Sequence, residues 1–263
     1  MAFEFLRYEK REHLVVLTIN RPEVMNCLHL PANQELDKAF DDFSDDHDAW
    51  VAIITGAGDR AFSAGNDLKW QAQHGMDALQ AGLKSLKGGF GGITRRFDCF
   101  KPIIAAVNGF ALGGGFEIAL SCDIIVAAEH ATFGLPEPRV GLIAGAGGVH
   151  RLPRHMPYHM AMGLMLTGRQ IRAQEAYQLG VVNEVVPSDG LMEAAERWAM
   201  EIMACAPLAV RACKEVSLKG MGLTLEEAVT RTYSAISGLF KSEDLVEGAR
   251  AFSEKRKPQW KGR

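Results

Sequence analysis

Apolar residues in this chain fall into short continuous runs over its first two thirds and into helical spacing over its last third. The runs at 14–20 (LVVLTIN), 50–55 (WVAIIT), 102–107 (PIIAAV), 124–128 (IIVAA) and 181–186 (VVNEVV) are short and rich in β-branched residues. They predict strands, with the wholly apolar ones covered on both faces. A further strand is expected at 3–8, joined to the 14–20 run by a charged turn, and Arg21-Pro22 ends that pair. In QELDKAFDDFSDD, Leu36, Ala39, Phe40 and Phe43 recur at helical spacing with acids between them, which predicts a surface helix packed on one face. Residues 63–67 form a turn whose side-chain oxygens can cap a short helix starting near Leu68. Residues 76–100 read as helix broken by the glycines of KGGFGGIT. From Ser188 the texture changes to four helical segments without strands, punctuated by Pro207, the Gly220-Met221-Gly222 turn and Lys241-Ser242.

At 263 residues and 48% hydrophobic content the chain can bury a large core. A net charge of −3 gives no basic field, which argues against nucleic acid as a partner. Five cysteines with no C-x-x-C pair suggest reduced thiols, and the mixed-charge opening MAFEFLRYEKREH lacks the apolar core of a secretory signal. Together these predict a cytoplasmic protein. The most apolar stretch, 102–116, is only 15 residues long and contains four glycines, so no membrane span is expected.

The chemistry concentrates between 106 and 148, in AVNGFALGGGFEIALSCDIIVAAEHATFGLPEPRVGLIAGAGG. Glu117 follows three consecutive glycines inside an apolar run, and Glu137 lies in a second apolar stretch before a second glycine cluster. An ionised carboxylate buried without a partner costs several kcal/mol, so such groups shift their pKa, find hydrogen bonds or serve chemistry. The glycines at 113–115 let backbone N–H groups approach a ligand closely. If they converge with the SAGN turn at 63–66, the two form a donor pair for an oxygen that becomes an enolate. The bland alternative, tight packing with a salt-bridged Glu117, weighs equally on spacing alone. Three weaker motifs compete. Gly56, Gly58 and Ala61 outline a dinucleotide fingerprint, but no suitable helix and second strand follow, so a strand-ending turn is preferred. Ser63 in AFSAG resembles a hydrolase elbow, with Asp123 and His130, His150, His155 or His159 downstream. His155 and His159 have the spacing of helical zinc ligands, but Pro157 lies between them, and no metal site is expected.

At these residues the chain resembles the crotonase family, the enoyl-CoA hydratase and isomerase superfamily. The matching segments are LTINRPEVMN, VAIITGAGDRAFSAGNDLK, KPIIAAVNGFALGGGFEIALSCDIIVAAEHATFGLPE, VGLIAGAGG, LTGRQIRAQEAYQLGVVNEVV and AFSEKRKPQWKGR, in order over nearly the whole sequence. GGFGGIT, GGGFE and the terminal WKGR look closest to the carnitinyl-CoA dehydratase group within it. The resemblance implies an α/β fold, a spiral of ββα turns over 1–190 that carries the active site. It also implies a helical region over 191–263 used for trimer formation, often as a dimer of trimers.

Coenzyme A thioester substrates are implied too, with no cofactor beyond the coenzyme A of the substrate itself. The family's oxyanion hole matches the backbone N–H groups of Asn66 and Gly114, and its two hydratase carboxylates match Glu117 and Glu137. Met25, Ala64, Asp67, Leu68 and Gly113 match substrate-binding positions, and Arg21, Lys255 and Lys257 are candidate cations for the coenzyme A phosphates. Pro138 after Glu137, Ala144 in place of a common proline and Cys27 in place of a common alanine depart from the family pattern. The implied reaction is hydration of a trans-2-enoyl-CoA to a 3-hydroxyacyl-CoA. Carnitinyl-CoA dehydratase-type hydration, double-bond isomerisation and a non-catalytic acyl-CoA-binding scaffold are the alternatives.

Overall fold

The computed structural model describes residues 3–263. β1 (Leu6–Arg11) and β2 (Leu14–Ile19) form an antiparallel hairpin with Leu6 opposite Ile19, so the first strand begins later than the apolar pattern suggests. α1 (Leu30–Asp45) buries Leu36, Ala39, Phe40 and Phe43, the stripe that the spacing predicts, and the His29 side chain caps it by accepting the Ala32 N–H. β3 (Val51–Gly56) is buried along its whole length. The chain then crosses to β4 (Ala61–Ser63) and runs through α2 (Leu68–His74) and α3 (Met76–Ser85). The expected helix over 76–100 therefore ends at Ser85. Beyond it, positive-φ glycines at 89, 91 and 92 break the helical path, leaving a loop with one 3₁₀ turn at Phe90–Gly92.

The same strand, short strand, helix sequence recurs. β5 (Ile103–Val107) leads to β6 (Phe110–Leu112) and α4 (Gly114–Ala119). β7 (Ile124–Ala128) leads to β8 (Thr132–Gly134), a 3₁₀ turn at Glu137–Val140 and α5 (Gly148–His155). α6 (Tyr158–Thr167), β9 (Gln170–Arg172), α7 (Ala173–Gln178) and β10 (Glu184–Val186) complete the spiral. α8 (Leu191–Met203), α9 (Pro207–Gly220), α10 (Leu225–Thr230), α11 (Ser234–Leu239) and α12 (Glu243–Ser253) follow. The third expected C-terminal helix is thus two short ones, because the extended backbone at Arg231 and Tyr233 interrupts the helical path.

Two sheets result. The long one runs β1-β2-β3-β5-β7-β10 and is parallel from β2 onward; the short one runs β4-β6-β8-β9. The GAGD segment, rather than opening a nucleotide-binding helix, is the corner at which β3 hands the chain to the short sheet. Two buried asparagines latch it. Asn108 Nδ2 donates to the Gly56, Gly58 and Ala61 carbonyls, and Asn26 Nδ2 donates to the Ala57 and Ala61 carbonyls. Each such bond contributes about 1 kcal/mol and would cost more if left unmade in the interior.

One face of the long sheet packs with α1, α4 and the short sheet through Phe40, Phe43, Phe62, Phe116 and Phe133, all fully buried. Its other face is covered by α8 through Leu191, Ala194, Ala195 and Ala199. Fully burying one large apolar side chain contributes about 1.5–3 kcal/mol, so this double coverage explains why the inner strands read as continuous apolar runs. No helix among the described residues is long and apolar enough to cross a membrane.

Candidate active site

Two turns at the ends of neighbouring short strands meet. After β4, Gly65 takes φ +91 and leads into Asn66, while after β6, Gly113 takes φ +53 and leads into Gly114. A Cβ on Gly65 would stand 2.7 Å from the Leu112 carbonyl oxygen and 2.8 Å from the Gly114 nitrogen. Only glycine lets the two backbones approach so closely. The N–H groups of Asn66 and Gly114 have no protein acceptor among the described residues.

Around these turns the remaining sequence-derived residues divide. Asp67 caps α2, its carboxylate accepting the Trp70 N–H at 3.0 Å and pairing with Arg21 at 3.0 Å. Burial pushes the Asp67 carboxyl up, but the Trp70 N–H and the Arg21 guanidinium outweigh it and hold the pKa below the usual range. Arg21 also donates to the Cys27 carbonyl and lies over the Phe5 ring, so the structure engages its charge in bracing this turn. The Met25 carbonyl accepts the Ala64 N–H at 3.0 Å, and Leu68 is half exposed beside Asp67. Lys255 and Lys257 lie in the exposed tail beyond α12 and make no hydrogen bond or ion pair with these turns among the described residues.

The carboxylates converge on the same place from two directions. Glu117, 3% exposed on α4, accepts the Gly148 N–H at 2.8 Å. Glu137, in the 3₁₀ turn after β8, places Oε1 only 2.9 Å from where a Gly113 Cβ would stand, and its buried Oε2 has no partner among the described residues. Burial raises the Glu117 pKa from 4.5 to about 7; the Gly148 N–H opposes this rise, and the nearby Glu137 charge reinforces it. Burial likewise raises Glu137. Pro138 does not carry Glu137 away from the glycines; with Pro136 it fixes the 3₁₀ turn that aims the side chain at Gly113. The arrangement offers two N–H donors and two carboxyl groups of raised pKa.

The raised pKa carries a stability consequence. Between pH 4.5 and about 7 the folded protein retains a proton on Glu117 that the unfolded chain releases, so stability falls as pH rises through that window. Glu117→Gln removes the penalty and keeps an acceptor for the Gly148 N–H. It is expected to stabilise the protein by up to about 3 kcal/mol above pH ~7, with no gain below pH ~4.5. Urea denaturation at the two extremes checks this; an equal gain at both would show that ionisation is not its source.

Other candidate chemistry disperses. Ser63 is fully buried, donates to the Asn26 carbonyl at 2.8 Å and accepts the Gly65 N–H at 3.1 Å, so it is a turn brace rather than a nucleophile. His130 bonds the Asp59 carbonyl and Ser188 instead. His155 ends α5 while His159 sits in α6, which removes the shared helical face that zinc spacing requires. No cluster of metal-ligating side chains occurs among the described residues.

Where the glycines at 88–92 predict only a break in a helix, the structure has a loop that reaches the site. The Phe90 ring packs on Gly114, where a Cβ would stand 2.4 Å from Cε1. The loop is held from α1: Asp37 accepts the Lys87 and Gly88 N–H groups, Asn33 accepts the Gly91 N–H, and the wholly buried Arg96 side chain bonds Asp37, Asp41 and the Gly92 carbonyl. Glycine richness at 88–92 is the only signal in the sequence; the polar residues on α1 that hold it read simply as a solvated face.

These features define a two-sheet α/β spiral with one buried and one partly buried carboxyl group beside two free backbone donors. The family model described as enoyl-CoA hydratase/isomerase matches residues 9–263. A carnitinyl-CoA dehydratase of Salmonella arizonae is 42% identical over 98% of this chain and 99% of its own length. An enoyl-CoA hydratase structure from Mycobacterium tuberculosis superposes with a TM-score of 0.91 at 39% identity, covering 98% of this chain and 99% of that one. One from Bacillus anthracis superposes at 0.93 with 36% identity, covering 99% and 100%. The chain belongs to the enoyl-CoA hydratase/isomerase, or crotonase, superfamily and is an enzyme of that superfamily.

Proposed function

We propose that this protein is an acyl-CoA hydro-lyase that interconverts a trans-2-enoyl-CoA and a 3-hydroxyacyl-CoA. The observation that carries the reading is the convergence of two carboxyl groups of raised pKa on a turn that presents unpaired N–H groups from Asn66 and Gly114. The thioester oxygen accepts from those two N–H groups, which stabilise the negative charge that develops as the enolate forms. Glu117 as carboxylate takes a proton from water while the water oxygen bonds to C3. The C2–C3 π electrons move toward the thioester, and the protonated Glu137 delivers its proton to C2. Proton exchange through solvent then restores both groups. Neighbouring carboxyl groups resist double ionisation, so the pair holds one proton at a time, and the reacting form is the one in which Glu137 carries it.

The likeness to carnitinyl-CoA dehydratases supports a second reading in which the acyl group bears a polar or cationic substituent. Turnover of short, long, branched and trimethylammonium-bearing 2-enoyl-CoAs separates the two, and failure to hydrate any of them would overturn the hydro-lyase reading. Double-bond isomerisation needs only one carboxylate in the chemistry, so retention of both favours hydration. The exposed apolar side chains Leu225, Val229, Phe240 and Phe252 on the C-terminal helices support assembly into a homotrimer or a dimer of trimers. In that assembly Lys255 and Lys257 are candidates for the coenzyme A phosphates. Sedimentation as a monomer at micromolar concentration would count against the assembly.

A further inference from the structure

The two carboxyl groups of the site are held in different ways. Glu117 is gripped by another element, because the Gly148 N–H at the start of α5 donates to it. The Glu137 carboxyl receives no hydrogen bond from another residue among the described residues, and its Oε2 is buried without a partner. Its place beside Gly113 is therefore set by the backbone of the 3₁₀ turn that carries it. That turn closes on itself: the Arg139 N–H donates to the Pro136 carbonyl at 2.9 Å, and the Leu142 N–H donates to the Glu137 carbonyl at 3.0 Å.

The corner between α6 and β9 fixes this turn against the rest of the fold. On the N-terminal side of Glu137, Gly134 of β8 pairs with Gln170 of β9, and the Gly134 carbonyl accepts the Gly113 N–H at 2.9 Å. On the C-terminal side, the Arg139 side chain crosses to the end of α6, where its Nε donates to the Thr167 carbonyl at 3.0 Å. Thr167 is the last residue of α6, and a carbonyl there has no partner within its own helix, so an arginine can cap it. Gly168 follows at φ +63, and a Cβ on it would stand 2.9–3.2 Å from Arg139 Nε, Cγ and Cδ. The arginine stem thus lies flat on the helix end, over a position that glycine leaves open. Glu137 sits between two attachments to one corner, and the Arg139 bridge is the one made by a side chain.

We propose that Arg139 is the positioning residue for Glu137: by bonding the Thr167 carbonyl, it holds the 3₁₀ turn where the carboxyl group is aimed at Gly113. This role rests on the assignment of Glu137 as the proton donor to C2 in the hydro-lyase reading. A proton donor must stand within hydrogen-bond reach of the atom it serves, and a misplacement of about 1 Å costs up to about a hundredfold in rate. Because backbone alone places Glu137, slack in the turn passes directly to the carboxyl group. The role belongs to the Nε hydrogen bond and the stem that carries it, not to the guanidinium charge.

The test compares Arg139→Met, which matches the stem as far as Nε but has no donor, with Arg139→Gln, whose Nε2 is bonded to Cδ as the arginine Nε is but carries no charge. Arg139 is exposed, so both variants are expected to fold. Arg139→Met should lower kcat for crotonyl-CoA hydration by about tenfold, with KM changed by no more than about twofold. Hydrogen–deuterium exchange over residues 137–142 should quicken in the same variant. Arg139→Gln returns both readouts to their wild-type values. In a Glu137→Gln background Arg139→Met should cause no further loss, since the group that it places no longer gives a proton. Wild-type kcat or wild-type exchange in Arg139→Met overturns the proposal. So does an Arg139→Gln protein as slow as Arg139→Met, or a further tenfold loss in the Glu137→Gln background. Exchange is read without substrate, so it decides the anchoring of the turn even if no 2-enoyl-CoA is hydrated, an outcome that overturns the hydro-lyase reading instead. If Glu137→Gln alone retains wild-type turnover, the proton-donor assignment fails, whatever the Arg139 variants do.

Discussion

Glu117→Gln and Glu137→Gln are each expected to lower kcat for 2-enoyl-CoA hydration by about a hundred- to ten-thousand-fold, with substrate affinity changed by only a few fold. The asymmetry between rate and binding follows from the geometry. The amide is nearly isosteric with the carboxyl group, Glu117 keeps an acceptor for the Gly148 N–H, and the Asn66 and Gly114 donors are backbone and remain in place. What disappears is the capacity to take a proton from water in one variant and to give one to C2 in the other. Because both groups act in one transition state, the double variant should be little slower than either single one. Stopped-flow absorbance with crotonyl-CoA measures the rate, and titration with a non-reactive acyl-CoA measures binding. Wild-type turnover in both single variants would remove the paired-carboxylate mechanism.

Asp37→Ala should lower the unfolding free energy by about 3 kcal/mol, the scale on which a buried ion pair loses one partner. The Arg96 side chain is 0% exposed, and Asp37 meets it at 2.8 Å while also accepting the Lys87 and Gly88 N–H groups. Removing that carboxylate strands the guanidinium on the half-exposed Asp41 and leaves two backbone donors unpaired. The loss should reach the site as well, because the same loop carries Phe90 against Gly114. Urea denaturation should show the drop, and kcat should fall at temperatures where the variant is still folded. An unchanged denaturation midpoint would mean that the loop is held by other contacts.

The legibility of the structure in the sequence varies with element length. The inner strands of the long sheet are legible because a strand covered on both faces must be apolar throughout, as β3 and β5 are. α1 was legible from Leu36, Ala39, Phe40 and Phe43 for the matching reason that one buried face imposes helical spacing. The short sheet was not. Its four strands are three residues each, too brief for alternation to register, and they exist because the neighbouring long strands set them side by side. The loop at 88–92 is not legible in the sequence because its conformation depends on acceptors from α1 more than fifty residues earlier.

By itself, the sequence determined the order of the long-sheet strands, α1 and the helical character of the C-terminal section, the glycines at which backbone could come close, and two glutamates set in apolar surroundings. All of these are local, written in burial pattern and in what glycine permits. Only the tertiary structure decided that the turns after β4 and β6 lie against each other, and that Glu137 reaches Gly113 while Glu117 meets Gly148. It also decided that Arg21 is engaged by Asp67. These contacts join residues separated by up to about fifty positions, and no local periodicity or propensity encodes a distance of that kind. They arise when the two sheets close on a common core and bring the ends of their strands together.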